Sequence, residues 1–276
     1  MSKVEVQSSQ PSKQIKIICA GLGRTGTLSL TEALQILGYN PYHYIDFNHA
    51  SAWEEFVDGR TSRDNFYTTN ANDIIDLILH DGYDAVLENP TCEIFEDILK
   101  RFPDAKIILT ERDTPEKFEA SWKVLMDTML LTELPFSWKY PSFFQWIPLF
   151  RILKKVRCFM GTTHLNLNYG ALTHGWRQKP NGWLAEQYVK HNKYVMDHID
   201  KKQLLVFNVK EGWDPLCDFL DCQVPKDISF PHSKVNDAKA LRRMRRIFQA
   251  SVYGWIPLGI LTVAGPYFFF RRSEIK

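Results

Sequence analysis

Residues 15–31, IKIICAGLGRTGTLSLT, constrain this chain more than any other stretch. Ile15, Ile17, Ile18, Cys19 and Ala20 form an apolar run broken only by Lys16, which suits a buried parallel strand. Glycines follow at once, and Thr27–Leu37 then reads as a helix with apolar Leu28, Leu30, Ala33, Leu34 and Leu37. A strand, a glycine turn and a helix start leave backbone N–H groups free, and the helix dipole favours negative charge there. Arg24, Thr25, Thr27 and Ser29 add side-chain donors. The predicted ligand carries phosphate or a similar anion.

Three readings of the loop compete. Gly21, Gly23 and Gly26 satisfy the dinucleotide pattern G-x-G-x-x-G, and Asp46 lies twenty residues beyond, where a ribose-binding acid would sit. Gly21 and Gly26 also have the spacing of a nucleoside triphosphate loop, but Thr27 stands where its lysine should be. The third reading starts from Gly23-Arg24-Thr25-Gly26-Thr27 and the wider string GRTGTLSL, Gly23 to Leu30. This resembles the 5′-phosphosulfate loop of the sulfotransferases, with Arg24 in place of the usual lysine. It is most similar to a P-loop branch found in many fungi and invertebrates, whose members are often mislabelled as NAD-dependent epimerases.

The resemblance implies a three-layer α/β sandwich of the P-loop type around a central parallel sheet, spanning residues 15–240. It also implies 3′-phosphoadenosine 5′-phosphosulfate as the sulfuryl donor and an acceptor hydroxyl or amine. Gly23, Arg24, Thr25, Gly26, Thr27 and Leu28 then hold the phosphosulfate. A strand Lys106–Thr110, KIILT, is followed by Arg112 and a helix carrying Ser121. In sulfotransferases an Arg and a Ser in this context grip the donor's 3′-phosphate, and a guanidinium fork paired with a hydroxyl suits that task. Arg112 and Ser121 are nine residues apart, one more than in the familiar cytosolic enzymes.

Asp84–Leu87 reads as another strand, and Glu88-Asn89-Pro90 ends it. Cytosolic sulfotransferases place a histidine two residues before a proline here as catalytic base, and the heparan branches use a glutamate. Glu88 is therefore a candidate base, provided burial raises its pKa toward neutrality. His43, in the strand-like segment Tyr39–Phe47, competes for the role. One departure is Ser29, near the place where the cytosolic enzymes stack adenine on a tryptophan. VKEGWDPLCDFL, Val209–Leu220, with Val224-Pro225 and Phe230-Pro231, resembles the family's closing segment. Two other readings remain: a P-loop nucleotide kinase or NTPase, and a membrane-tethered, non-catalytic nucleotide-binding protein.

Helices are predicted at Asp73–Leu79, Cys92–Arg101, from Pro115 and at Trp183–Ile199, with a strand at Leu204–Val209. About 127–182 reads as a variable lid. Within it Leu134–Phe150 is crowded with aromatics, and Arg151–Arg157 adds four basic residues, so a lid over a lipophilic acceptor, a membrane-lying patch and plain packing all suit it. A net charge of +2 with dispersed basic residues gives no case for nucleic acid. Five scattered cysteines without C-x-x-C favour reduced thiols and no metal.

Met1–Gln14 is polar, without the apolar core of a signal peptide, and is expected to be a disordered arm. Ala250–Phe270 is 21 uncharged residues, enough for a membrane-crossing helix. Arg242, Arg243, Arg245 and Arg246 before it favour a tail anchor with the catalytic domain in the cytosol, and without an anchor the chain would be cytoplasmic. The acceptor is expected to be a small or lipophilic molecule.

Overall fold

The computed structural model describes residues 14–61, 71–133 and 146–232, together with 243, 246, 247, 249 and 250. The predicted N-terminal arm, apart from Gln14, lies outside these residues. So do most of the aromatic run within 134–150 and the predicted tail helix beyond Ala250. No described helix is long and apolar enough to cross a membrane, and no apolar C-terminal helix is found among the described residues.

The strands are β1 (Ile17–Cys19), β2 (Pro41–His43), β3 (Ala85–Leu87), β4 (Lys106–Thr110) and β5 (Leu204–Phe207). They form one five-stranded sheet in the order β2-β3-β1-β4-β5, and every pairing is parallel. Ile17 stands opposite Ala85 on one side and Lys106 on the other, which fixes the register of the centre. Both pleats are dry, as a parallel sheet covered by helices requires. Ile17, Cys19, Ala85, Leu87 and Ile108 belong to one core cluster, and Ile18, Val86, Ile107 and Leu109 on the alternate positions are buried as well. On the first face, α1 (Thr27–Ile36) contributes Leu30, Ala33 and Leu34, and α8 (Trp213–Leu220) contributes Trp213, Leu216, Cys217 and Leu220.

Helices α2 (Ala50–Thr61), α3 (Asn72–His80) and α4 (Phe95–Arg101) fill the connections β2→β3 and β3→β4. Sequence reasoning missed α2. Its buried Trp53, Phe56 and Val57 have the spacing of one helical face, but Glu54, Glu55 and Asp58 interleave them and mask the stripe. The helix expected at Cys92–Arg101 is a 3-10 turn, Thr91–Ile94, followed by α4.

By compactness the chain divides into a body formed by residues 1–122 and 155–233, which holds the sheet, and a second unit formed by 123–154 and 234–276. Helix α5 (Pro115–Glu133) runs on past Asp127, where the variable segment was expected to begin, and in the second unit Thr128 Oγ1 donates to the Val124 carbonyl. Helix α6 (Pro148–Phe159) takes up the basic run, which is an amphipathic helix with Arg151 and Lys154 exposed and Val156 and Phe159 buried. In the sheet-bearing body, Lys155 reaches α2 and pairs with Glu54 at 2.7 Å and Asp58 at 2.9 Å. Helix α7 (Trp183–His198) precedes β5.

Candidate active site

The carboxyl ends of β1, β3 and β4, the three central strands, meet at the glycine turn. The turn delivers the chain into α1 through Gly26, whose φ of 107° only glycine adopts without strain. A Cβ at Gly26 would also lie 2.7 Å from Val209 Cγ1. No side chain caps the start of α1 and its first turn carries no acid, so its N–H groups and dipole face an anion without competition.

The Thr25 and Thr27 hydroxyls are engaged within the protein rather than turned to an anion. Thr25 is fully buried, donates to the Leu22 carbonyl at 2.6 Å and meets Thr110 Oγ1 at 2.5 Å. Thr27 donates to Glu88 Oε2 at 2.9 Å. These residues offer an anion their backbone, while Arg24 offers a side chain. The Arg24 backbone sits at φ 76°, Tyr44 at 64° and Glu88 at 67°, so the loops after β1, β2 and β3 each hold one non-glycine residue in the left-handed region. Such strain gathers where the surrounding structure fixes a functional geometry.

Arg24 Nε donates to Ser121 Oγ at 3.0 Å, which brings two of the predicted anion ligands together from 97 residues apart. Burial lowers the guanidinium's proton affinity, Glu88 opposes that effect, and Arg112 adds to it through like-charge repulsion. Arg24 therefore stands in the fields of both Glu88 and Arg112. The neighbouring Asp113 is committed elsewhere: it pairs with Lys117 and Lys210 and accepts from Asn208. Arg112 Nε is buried and has no partner among the described residues. A buried guanidinium nitrogen without an acceptor costs free energy unless an anion arrives. The start of α1 and the Arg112 guanidinium are thus two places where a negative charge would be stabilised.

Glu88 and His43, rivals in the sequence, are bonded to each other. His43 Nε2 lies 2.6 Å from Glu88 Oε2, with 23% and 18% of the two side chains exposed. The same oxygen accepts from Thr27. The other oxygen backs onto the turn, where a Cβ on Gly23 would lie 2.7 Å from Glu88 Oε1. Burial pushes the Glu88 carboxyl up, but the His43 bond and charge, the Thr27 bond and the Arg24 charge outweigh it and leave the group below its ordinary value. This corrects the expectation that burial would raise Glu88 toward neutrality. An ionised carboxylate only accepts, so His43 Nε2 carries the proton in this contact. In the tautomer with its proton on Nε2, Nδ1 holds the lone pair.

Neither alternative reading of the glycine loop fits this arrangement well. In a dinucleotide fold the strand bearing the ribose acid lies beside β1. Here β3 separates β2 from β1, and Asp46 instead accepts from Asn48 N at 2.9 Å and from the Tyr83 hydroxyl at 3.0 Å. A triphosphate loop needs lysine at position 27 and a hydroxyl at 28 for magnesium. Thr27 and Leu28 occupy those places, and the Thr27 hydroxyl is spent on Glu88. Among the described residues no group of three or more His, Cys, Asp or Glu is arranged to hold a metal.

Sequence reasoning did not find Glu93, a second buried carboxyl just beyond Glu88. It is 2% exposed, and Oε1 accepts from Gly161 N at 2.7 Å. Burial pushes its pKa from 4.5 up to about 7, against weaker opposing bonds from Gly161 and Thr163. A raised acid is protonated more readily in the folded state than in the unfolded one. Its penalty is therefore absent below pH 4.5, grows between 4.5 and about 7, and is complete above. Glu93→Gln is expected to stabilise the protein at about pH 8 by up to about 3 kcal/mol, and to leave it unchanged near pH 4. Urea titrations of both proteins across this range check the sign; a variant less stable at pH 8 counts against it.

A family model described as "Sulfotransferase domain" matches residues 16–241, which includes every residue of the site. Ava biosynthesis cluster protein M of Aspergillus versicolor is 30% identical, in an alignment that covers 94% of this chain and 98% of that protein. With most of its length matched by the family model, the chain belongs to the sulfotransferase domain family.

Proposed function

We propose that the protein transfers a sulfuryl group from 3′-phosphoadenosine 5′-phosphosulfate to the hydroxyl of a small molecule. The buried Nε of Arg112, without a partner among the described residues, carries this reading. It asks for a second anion, which a 3′-phosphate supplies and a plain 5′-nucleotide does not. The backbone of residues 25–27 and the Arg24 guanidinium hold the 5′ end, and Arg112 and Ser121 hold the 3′ end. The donor supplies an electrophilic sulfur on a good leaving group. The acceptor oxygen bonds to sulfur, the bond from sulfur to the bridging oxygen breaks, and the acceptor proton passes to His43 Nδ1. Glu88 balances the charge that appears on the ring. Arg24 and the start of α1 offset the negative charge gathering on the leaving oxygen. The Aspergillus relative is named as a biosynthesis cluster protein, which supports a small biosynthetic intermediate as acceptor.

The test is calorimetric binding of 3′-phosphoadenosine 5′-phosphate to the full chain. Arg112→Ala is expected to weaken binding by about 10–100-fold, the loss of one charge-assisted contact. Binding of ATP or NAD but not of the bisphosphate would overturn the reading. The tail anchor belongs to the same proposal: the full chain is expected in the membrane fraction and a chain ending near Ala240 in the soluble one, and equal partition would remove the anchor.

A further inference from the structure

Helix α7 carries four buried polar residues, Gln187, Tyr188, His191 and Asn192, and the last three bond the loops around the proposed site. Tyr188, His191 and Asn192 are 3%, 2% and 4% exposed. Their spacing of three and four residues puts them on one face of the helix. Each bonds a different point of the two anion loops. The Tyr188 hydroxyl accepts the backbone N–H of Arg112 at 2.9 Å. His191 Nε2 donates to the carbonyl of Ala20 at 2.7 Å, at the last residue before the glycine turn. Asn192 Nδ2 donates to Glu111 Oε1 at 2.8 Å, beside Arg112. Burial lowers the His191 pKa to about 4, so the ring is neutral and donates from Nε2 at neutral pH. The Tyr188 ring is stacked on Phe118 of α5, with centroids 4.4 Å apart, and Phe118 lies one helical turn before Ser121.

Burying three polar side chains on one helix face is expensive unless each finds a partner. Apolar residues would have packed this face against the sheet. Instead, one rigid helix is pinned to the start of the 5′ loop and to the backbone of the 3′ loop. We infer that the Tyr188–His191–Asn192 face is a positioning device that sets the separation of the two anion loops and so selects a 3′,5′-bisphosphate over a 5′-monophosphate. The inference rests on the sulfotransferase reading. These residues act through Ala20, Glu111 and Arg112, so their effect belongs to donor affinity and selectivity more than to the chemical step.

Tyr188→Phe removes one oxygen, keeps the stack on Phe118 and leaves the Arg112 N–H without its acceptor. Calorimetry of the full chain with 3′-phosphoadenosine 5′-phosphate and with adenosine 5′-monophosphate reads the consequence. The variant is expected to bind the bisphosphate about tenfold more weakly and the monophosphate unchanged. In an Arg112→Ala background the same change is expected to have no further effect, because the two residues act as one unit. His191→Ala is expected to weaken both ligands, and His191→Gln, which keeps a donor, to restore part of the loss. A parallel loss for both ligands in Tyr188→Phe, or an additive loss in the Arg112→Ala background, shows a merely structural role and overturns the proposal. Failure of the unsubstituted chain to bind the bisphosphate overturns the donor assignment and this inference together.

Discussion

Arg24→Ala is expected to lower kcat/KM for sulfuryl transfer by about 10²–10³-fold, the usual result of deleting one preorganised donor from a site of developing negative charge. Arg24 is the one cationic side chain in the turn itself, and the two hydroxyls beside it are already committed to Leu22, Thr110 and Glu88. Its removal would also take the partner from Ser121. Alanine at φ 76° adds backbone strain, so a stability loss could imitate a catalytic one. Arg24→Gly separates the two: glycine accepts that φ freely, and the same loss of kcat/KM in a fully folded glycine variant assigns the effect to the guanidinium. Arg24→Lys restores charge but not the planar fork and is expected to recover part of the rate. Steady-state kinetics with melting temperatures for the three variants decide it. A glycine variant within threefold of the starting activity would mean that the backbone alone carries the 5′ end.

Much of this site was legible because its parts are local. A strand, a glycine turn and a helix start announce an anion site within 17 residues, and Arg112 follows β4 closely enough to be placed by counting. Strand order is not local. β2 follows α1 in the chain yet lies outside β3, because packing across the whole sheet decides which strands touch. That order, invisible in the sequence, is what removes Asp46 from a dinucleotide role. Whether Glu88 and His43 were alternatives or partners was hidden for the same reason, since 45 residues and two helices separate them. The polar face of α7 left a fainter mark. Gln187, His191 and Asn192 fall among buried positions of an otherwise amphipathic helix, and a sequence shows residue type without showing burial. Glu93 was invisible in the same way, one acid among the 32 Asp and Glu of the chain.

The pairing of His43 with Glu88 sets the largest expected effect. His43→Ala is expected to lower kcat by about 10²–10⁴-fold, the range for loss of a general base, with bisphosphate affinity unchanged because the product has no acceptor proton to take. Glu88→Gln removes the charge that balances protonated His43 and is expected to fall in the same range. The double variant should lose little more than the worse single one, because a base and its orienting carboxylate act as a unit. Stability supplies an independent check. The folded-state pKa of Glu88 lies below its ordinary 4.5, so its ionised form stabilises the fold above that value, and the contribution is lost as pH falls through the lower folded value. Glu88→Gln should therefore be less stable than the unsubstituted protein at neutral pH and converge with it in acid, opposite in sign to Glu93→Gln. If Glu88→Gln retained its activity while His43→Ala abolished it, the histidine would act alone. The reverse result would return the proton to the carboxylate, whose pKa its partners hold below the ordinary value.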